Sequence, residues 1–372
     1  MNNLFTFIER IFDVEESLKS VKLGVFPRFT QKKAVNLLAT FLRKLRFSLD
    51  SHLPSSMEGC VLEKGHLLLQ LLYALVEKIE RSSTQYTPLS AVYLVEYLAE
   101  RIEKKLIPIV CFQSSTTSHI CLSDLIALSS SIAPSESQEL EEDVIFLSLP
   151  YSLKNDPLSY CIASREFALY LLKSGNHLET VSPKGLPGEL VSVAADRLAA
   201  LMFGPAYLFS LLSSKPPSTP EGNLRLQGVV FLLVEEGYCE SRFLAPLLPP
   251  LGEMSPAKVE LFRKIEKDFK ETRAYYPPEI FKSEVPQLVS RILDLLPPNE
   301  VILPDTTTLP AEIPSIVNAG WIVKKDHMPA FYKLLKAETL EDRHQAKRKL
   351  DALIEKAIEL SVIHRSLREA ES

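Results

Sequence analysis

Glycine is scarce, with only 12 in 372 residues. Loops that cradle phosphates need glycines close together, because backbone N–H groups must approach the ligand with no Cβ in the way. Neither a Walker A loop nor a GxGxxG turn occurs, so the chain offers no nucleotide cradle. Cysteine is sparse too. Cys60, Cys111, Cys121, Cys161 and Cys239 are odd in number and contain no CxxC pair. That is the usage of reduced thiols, not of a disulfide framework or a zinc knuckle. Cys111 and Cys121 are spaced as neighbours across a hairpin would be. The histidines are scattered, and none stands four residues from another metal-ligating side chain.

No apolar run is long enough to span a bilayer. The stretch that most invites a membrane reading, Leu198 to Leu212, falls short of the roughly 20 residues required, and Gly204-Pro205 interrupts it. It is expected to be a bent core helix. The opening Met1-Asn2-Asn3-Leu4 soon meets Glu9 and Arg10, so no signal-peptide core is expected there. Neither sign of charge dominates: 42 Lys and Arg face 47 Asp and Glu, net −5. This balance favours neither nucleic acid nor a membrane surface as a partner. The basic clusters Lys32-Lys33, Arg43-Lys44-Arg46 and Arg343 to Lys349 read as solvated helix faces. A cytoplasmic, soluble protein is expected.

Apolar residues supply 46% and charged residues 24%, enough for a substantial core. Stripes at helical spacing run through Leu4 to Phe12, Ala34 to Leu45, Leu67 to Ile79 and Ala91 to Ile102. Two short β-branched runs, Leu106 to Phe112 and Asp143 to Pro150, predict strands. Helices are expected at 157–174, 187–213, 224–236, 256–273, 316–335 and 340–367. Loops are expected at Pro134–Glu142, Ser213–Asn223 and Pro246–Pro256, with an irregular crossing over Pro297–Pro314. The fold class is therefore mainly α with a minor β component. Trp321 and Tyr275-Tyr276 read as packing and turn elements, and the terminal helix as one that packs on the body.

One segment carries a chemical hint. Residues 165–169 read Arg165-Glu166-Phe167-Ala168-Leu169, where a zinc peptidase has His-Glu-x-x-His. In that motif two histidines one helical turn apart face one metal, and the glutamate acts on the bound water as general base. Around it stand Asn155-Asp156-Pro157-Leu158, Ala195-Asp196, Gly204-Pro205-Ala206-Tyr207, Lys215-Pro216-Pro217, Leu224-Arg225-Leu226 and Asn318-Ala319-Gly320-Trp321. In this order the segments resemble uncharacterised bacterial and archaeal zincin-like proteins of the gluzincin type, over residues 105–365 as scattered short matches.

The resemblance implies a helical body around a zincin-like two-helix core. It divides the chain into an N-terminal helical region (1–105), a zincin-like core (106–245) and a C-terminal helical region (246–372). It also implies ligand positions at Arg165, Leu169 and Ser192, a vestigial general base at Glu166 and a supporting carboxylate at Asp196. A guanidinium has no free lone pair and stays protonated. Leucine offers no donor, and serine is a poor substitute for a carboxylate. No metal and no other cofactor is therefore expected. If Glu166 is buried, Arg165 or Arg197 is expected to neutralise it, since an unpaired buried carboxylate is costly.

Three readings stay open. In the first, the chain is a catalytically inactive, metallopeptidase-like protein that binds or scaffolds a protein or peptide. The second is a hydrolase with a relocated metal, drawing on Glu166, His177, Glu179 and Glu189. The third is an all-helical interaction protein unrelated to peptidases.

Overall fold

The structure is a computed structural model and describes residues 2–21, 29–51, 59–102, 105–114, 116–132, 142–174, 188–214, 219–240, 256–297 and 310–371. Across these the chain is mainly helical with one small three-stranded sheet. It forms two compact units, Met1–Glu100 with Lys104–Lys154, and Arg101–Glu103 with Asn155–Ser372. The expected boundaries at 105/106 and 245/246 thus give way to a division at Lys154/Asn155. Strand pairing is the reason: residues 106–150 build a sheet that the N-terminal helices cover.

In the first unit, α1 (Asn2–Ser20), α2 (Phe29–Ser51) and α3 (Gly59–Arg81) precede α4 (Leu89–Arg101). The strands β1 (Leu106–Ser114), β2 (Ser118–Cys121) and β3 (Asp143–Pro150) follow, with α5 (Leu122–Ser130) between β2 and β3. The sheet order is β1-β3-β2, with β1 parallel and β2 antiparallel to β3. Alternation along a strand puts Ile107, Ile109, Val144 and Phe146 on one face, and these join Phe7, Leu38, Leu42, Leu72 and Leu75 in a single core. From Val144 to Pro150 every residue of β3 is buried, as the central strand of a covered sheet should be. Cys111 and Cys121 are not hairpin neighbours, because β3 lies between their strands and pairs Cys111 with Ser148 and Cys121 with Ile145.

The second unit begins with a 3-10 turn at Pro157–Ala163, then α6 (Ser164–Ser174), α7 (Gly188–Phe203), α8 (Pro205–Ser214) and α9 (Pro220–Glu235). There follow α10 (Pro256–Lys270), α11 (Pro278–Leu293), α12 (Ile313–Ile322), a π-helical turn at Val323–His327, α13 (Met328–Leu334) and α14 (Leu340–Glu371). The expected bend at Gly204-Pro205 is a full break: Gly204 takes φ +60°, a left-handed conformation that ends α7. α9 starts at Pro220, earlier than expected, because Thr219 caps it by accepting from Gly222 N (3.1 Å) and Pro220 suits a first helical position. Residues 134–141 and 246–255 of the expected loops, and 298–309 of the expected crossing, lie outside the described residues, while Pro256 opens α10 and Ile313 opens α12.

Three of the short sequence segments meet at the α7–α8 break. Asn318 Nδ2 donates to Phe203 O (2.7 Å) and Pro314 O (2.8 Å), and its Oδ1 accepts from Ala206 N (2.8 Å). It satisfies backbone groups that the interrupted helix leaves unpaired. Trp321 Nε1 donates to Leu158 O (3.0 Å). Gly320 lets α12 press against Leu158 and α14, where an added Cβ would come within 2.8 Å of Ile354 Cδ1. Gly320→Ala is therefore expected to destabilise the unit by about 1–3 kcal/mol through overpacking. Urea unfolding followed by Trp321 fluorescence checks this, because Trp321 is the sole tryptophan of the chain.

The terminal helix α14 packs through buried Leu350, Ile354, Ala357 and Ile358. Its Asp351 is 8% exposed, and Oδ1 has no hydrogen-bond partner. Burial lifts its carboxyl from the usual 3.8 to about 6; Lys347 and Lys324 oppose the shift, and Asp156 adds to it. A carboxyl raised in the folded state binds its proton more tightly there. The stability it supplies is full below 3.8 and is lost as pH rises through about 6. Glu355, raised by burial and by Asp351, acts in the same direction. Asp351→Asn should flatten a decline on the order of 2 kcal/mol across that window, read from unfolding curves at successive pH values.

Candidate functional site

Asp196 is the centre on which four helices converge. On α6, Phe167, Ala168, Leu171 and Leu172 are buried, while Arg165 and Leu169, one turn apart, are half-buried. On α7 the sequence runs apolar from Val193 to Phe203 except for Asp196 and Arg197, both of which are fully buried. Ser192, one turn before Asp196, is half-buried. The two helices pack against each other.

Arg165 joins them. Its Nε donates to Asp196 Oδ1 (3.1 Å) and its Nη1 to Glu166 Oε1 (3.2 Å). Arg225 reaches in from α9 with Nε on Asp196 Oδ2 (2.5 Å) and Nη2 on Oδ1 (3.1 Å). Tyr207 on α8 donates its hydroxyl to Oδ1 (2.5 Å). Asp196 is 0% and Glu166 3% exposed, against 17% for Arg165 and 23% for Arg225. Two buried carboxylates thus face two arginine side chains that are partly exposed. Charge-assisted bonds of this kind offset the cost of taking the carboxylates out of water. Burial and the neighbouring Asp196 hold the Tyr207 phenol well above its ordinary value, so it stays a donor. Burial alone would lower Arg225, but the bonds and charge of Asp196 outweigh it and keep the guanidinium charged.

The zinc that the resemblance implies does not fit these residues. A guanidinium occupies the first ligand position and already hydrogen-bonds Asp196 and Glu166. Leu169 has no donor atom, and Ser192 brings no carboxylate. Glu166 accepts from Arg165, an arrangement that holds a fixed cation and gives the carboxylate no polarised water on which to act. Among the described residues, no group of three or more His, Cys, Asp or Glu could hold a metal ion. His177 and Glu179, and the side chain of Glu189, lie outside the described residues, as does Lys215-Pro216-Pro217.

Of the two arginines expected to neutralise Glu166, Arg165 does so. Arg197 instead turns to Glu266 on α10, with Nε on Oε1, and to Gly228 O on α9 (3.0 Å). Adjacent helix positions point about 100° apart, and here Arg197 faces α9 and α10 while Asp196 faces the cluster. Sequence reasoning assigned no role to Arg225 or Tyr207, although both lie in segments that carry the resemblance. Among the described residues no helix is long and apolar enough to cross a membrane. No family model, curated protein or solved structure matches the chain.

Proposed function

We infer that the chain is a metal-free relative of zincin-like metallopeptidases, built on a two-helix core in which a side-chain cation stands where such an enzyme would hold zinc. One observation carries the reading: the Arg165 guanidinium lies between Glu166 and Asp196 on the packed pair α6 and α7. The meeting of Leu158, the Gly204-Pro205 break and Asn318 to Trp321 at one place supports it, because the short segments that resemble the family do structural work together. A core held by a covalently attached cation keeps its shape without a metal and gives up the Lewis acid needed for hydrolysis. The function proposed is therefore binding: a cytoplasmic protein that holds a peptide or a segment of a partner protein where the resemblance implies the former substrate cleft, next to Glu166 and Asp196, without cleaving it. Metal analysis of the purified chain tests this. The reading requires no bound zinc, and stoichiometric zinc that disappears in Glu166→Ala would overturn it.

A further inference from the structure

A cavity of about 410 Å³ lies between α11 and the π-helical turn, two elements that pack against each other. From α11 come Lys282, Val285, Pro286 and Val289, whose spacing of three and four residues puts them on one side of the helix. Ile322 and His327 line the opposite wall. Five residues apart in an α-helix, they would point about 140° away from each other. The i→i+5 closure of the turn at Val323–His327 draws them to the same side, and π turns of this kind recur at functional sites. Of the lining only Lys282 and Pro286 are exposed; Val285 is buried and Val289, Ile322 and His327 are half-buried. The apolar walls are thus set into the surface, which suits an inserted small molecule, and the volume falls within the roughly 300–1,000 Å³ of such sites.

Among the described residues, neither the Lys282 ammonium nor the His327 imidazole has a hydrogen bond or ion pair with the protein. Both can donate. We propose that the cavity binds a small apolar monocarboxylate, with its hydrocarbon against Val285, Val289 and Ile322 and its carboxylate toward Lys282 and His327. One ammonium that no carboxylate of the chain balances is matched one for one by a monoanion, whereas a phosphate dianion would bring excess charge. An amine ligand would be repelled, and an alcohol would leave the ammonium unmatched. None of these residues belongs to the Asp196 cluster, so the inference stands apart from the binding function proposed above.

Calorimetric titration of the full chain with octanoate and with 1-octanol tests the proposal. Octanoate is expected to bind, and 1-octanol about tenfold or more weakly, because it keeps the chain and loses the charge. Lys282→Met should weaken octanoate about fivefold, the worth of a partly solvated ion pair, and leave 1-octanol unchanged. Its urea midpoint should stay at the parent value, since the ammonium holds nothing in the protein. His327→Asp, on the opposite wall, should also weaken octanoate by setting a carboxylate against the ligand's own. Equal binding of octanoate and 1-octanol would overturn the recognition of charge. Octanoate binding that neither variant weakens would overturn the site, and no octanoate binding at all would overturn both.

Discussion

Asp196→Ala is expected to destabilise the second unit by about 3–5 kcal/mol, the range for breaking a buried ion pair from one side. Asp196 accepts four hydrogen bonds, from Arg165, from Tyr207 and two from Arg225. Removing it leaves two guanidinia close together with only Glu166 among the cluster's carboxylates, and strands the Tyr207 hydroxyl in a fully buried position. The loss is therefore mostly the penalty of unpaired buried charge, larger than the worth of any single bond. Tyr207→Phe provides the scale: it deletes one donor and leaves the ion pairs intact, so it should cost about 1 kcal/mol. Urea unfolding followed by Trp321 fluorescence measures both. If Asp196→Ala cost no more than Tyr207→Phe, Asp196 would not be the centre of the cluster.

Much of the scaffold was legible because it follows local rules. Apolar spacing locates α2, α3 and α4. The β-branched runs locate β1 and β3, and Gly204-Pro205 marks an interruption, read as a bend where the left-handed Gly204 makes a full break. What escaped is what local rules miss. Strand β2 has four residues, too few for an alternation to stand out, and α5 follows it without a break. Helix α11 begins at a double proline that reads as a turn, yet Pro278 suits a first helical position and Pro286 is accommodated within the helix. The π-helical turn at Val323–His327 divides what the apolar pattern presents as one helix. In the site, Arg165, Glu166 and Asp196 were singled out by the resemblance of short segments to zincin-like proteins, which is carried by local sequence. Arg225 and Tyr207 join them only through tertiary packing of α8 and α9, which no spacing along the chain encodes.

The largest change expected from any substitution is a gain of metal. Arg165→His and Leu169→His together would place two imidazoles one turn apart on α6, and Ser192→Glu would add a carboxylate one turn from Asp196 on α7. Asp196 would keep Arg225 and Tyr207 as partners, so the cluster's main anchor survives the loss of Arg165. Two histidines and one glutamate are a ligand set that zinc accepts with a fourth position open. The same three substitutions on helices that merely happen to touch would not bring the donors to a common point.

Zinc content of the purified triple variant, measured beside the parent chain after dialysis against a weak chelator, tests the account most directly. It predicts about one zinc per chain in a folded variant and none in the parent. A folded variant that stays metal-free, or a parent chain that retains stoichiometric zinc, would contradict it.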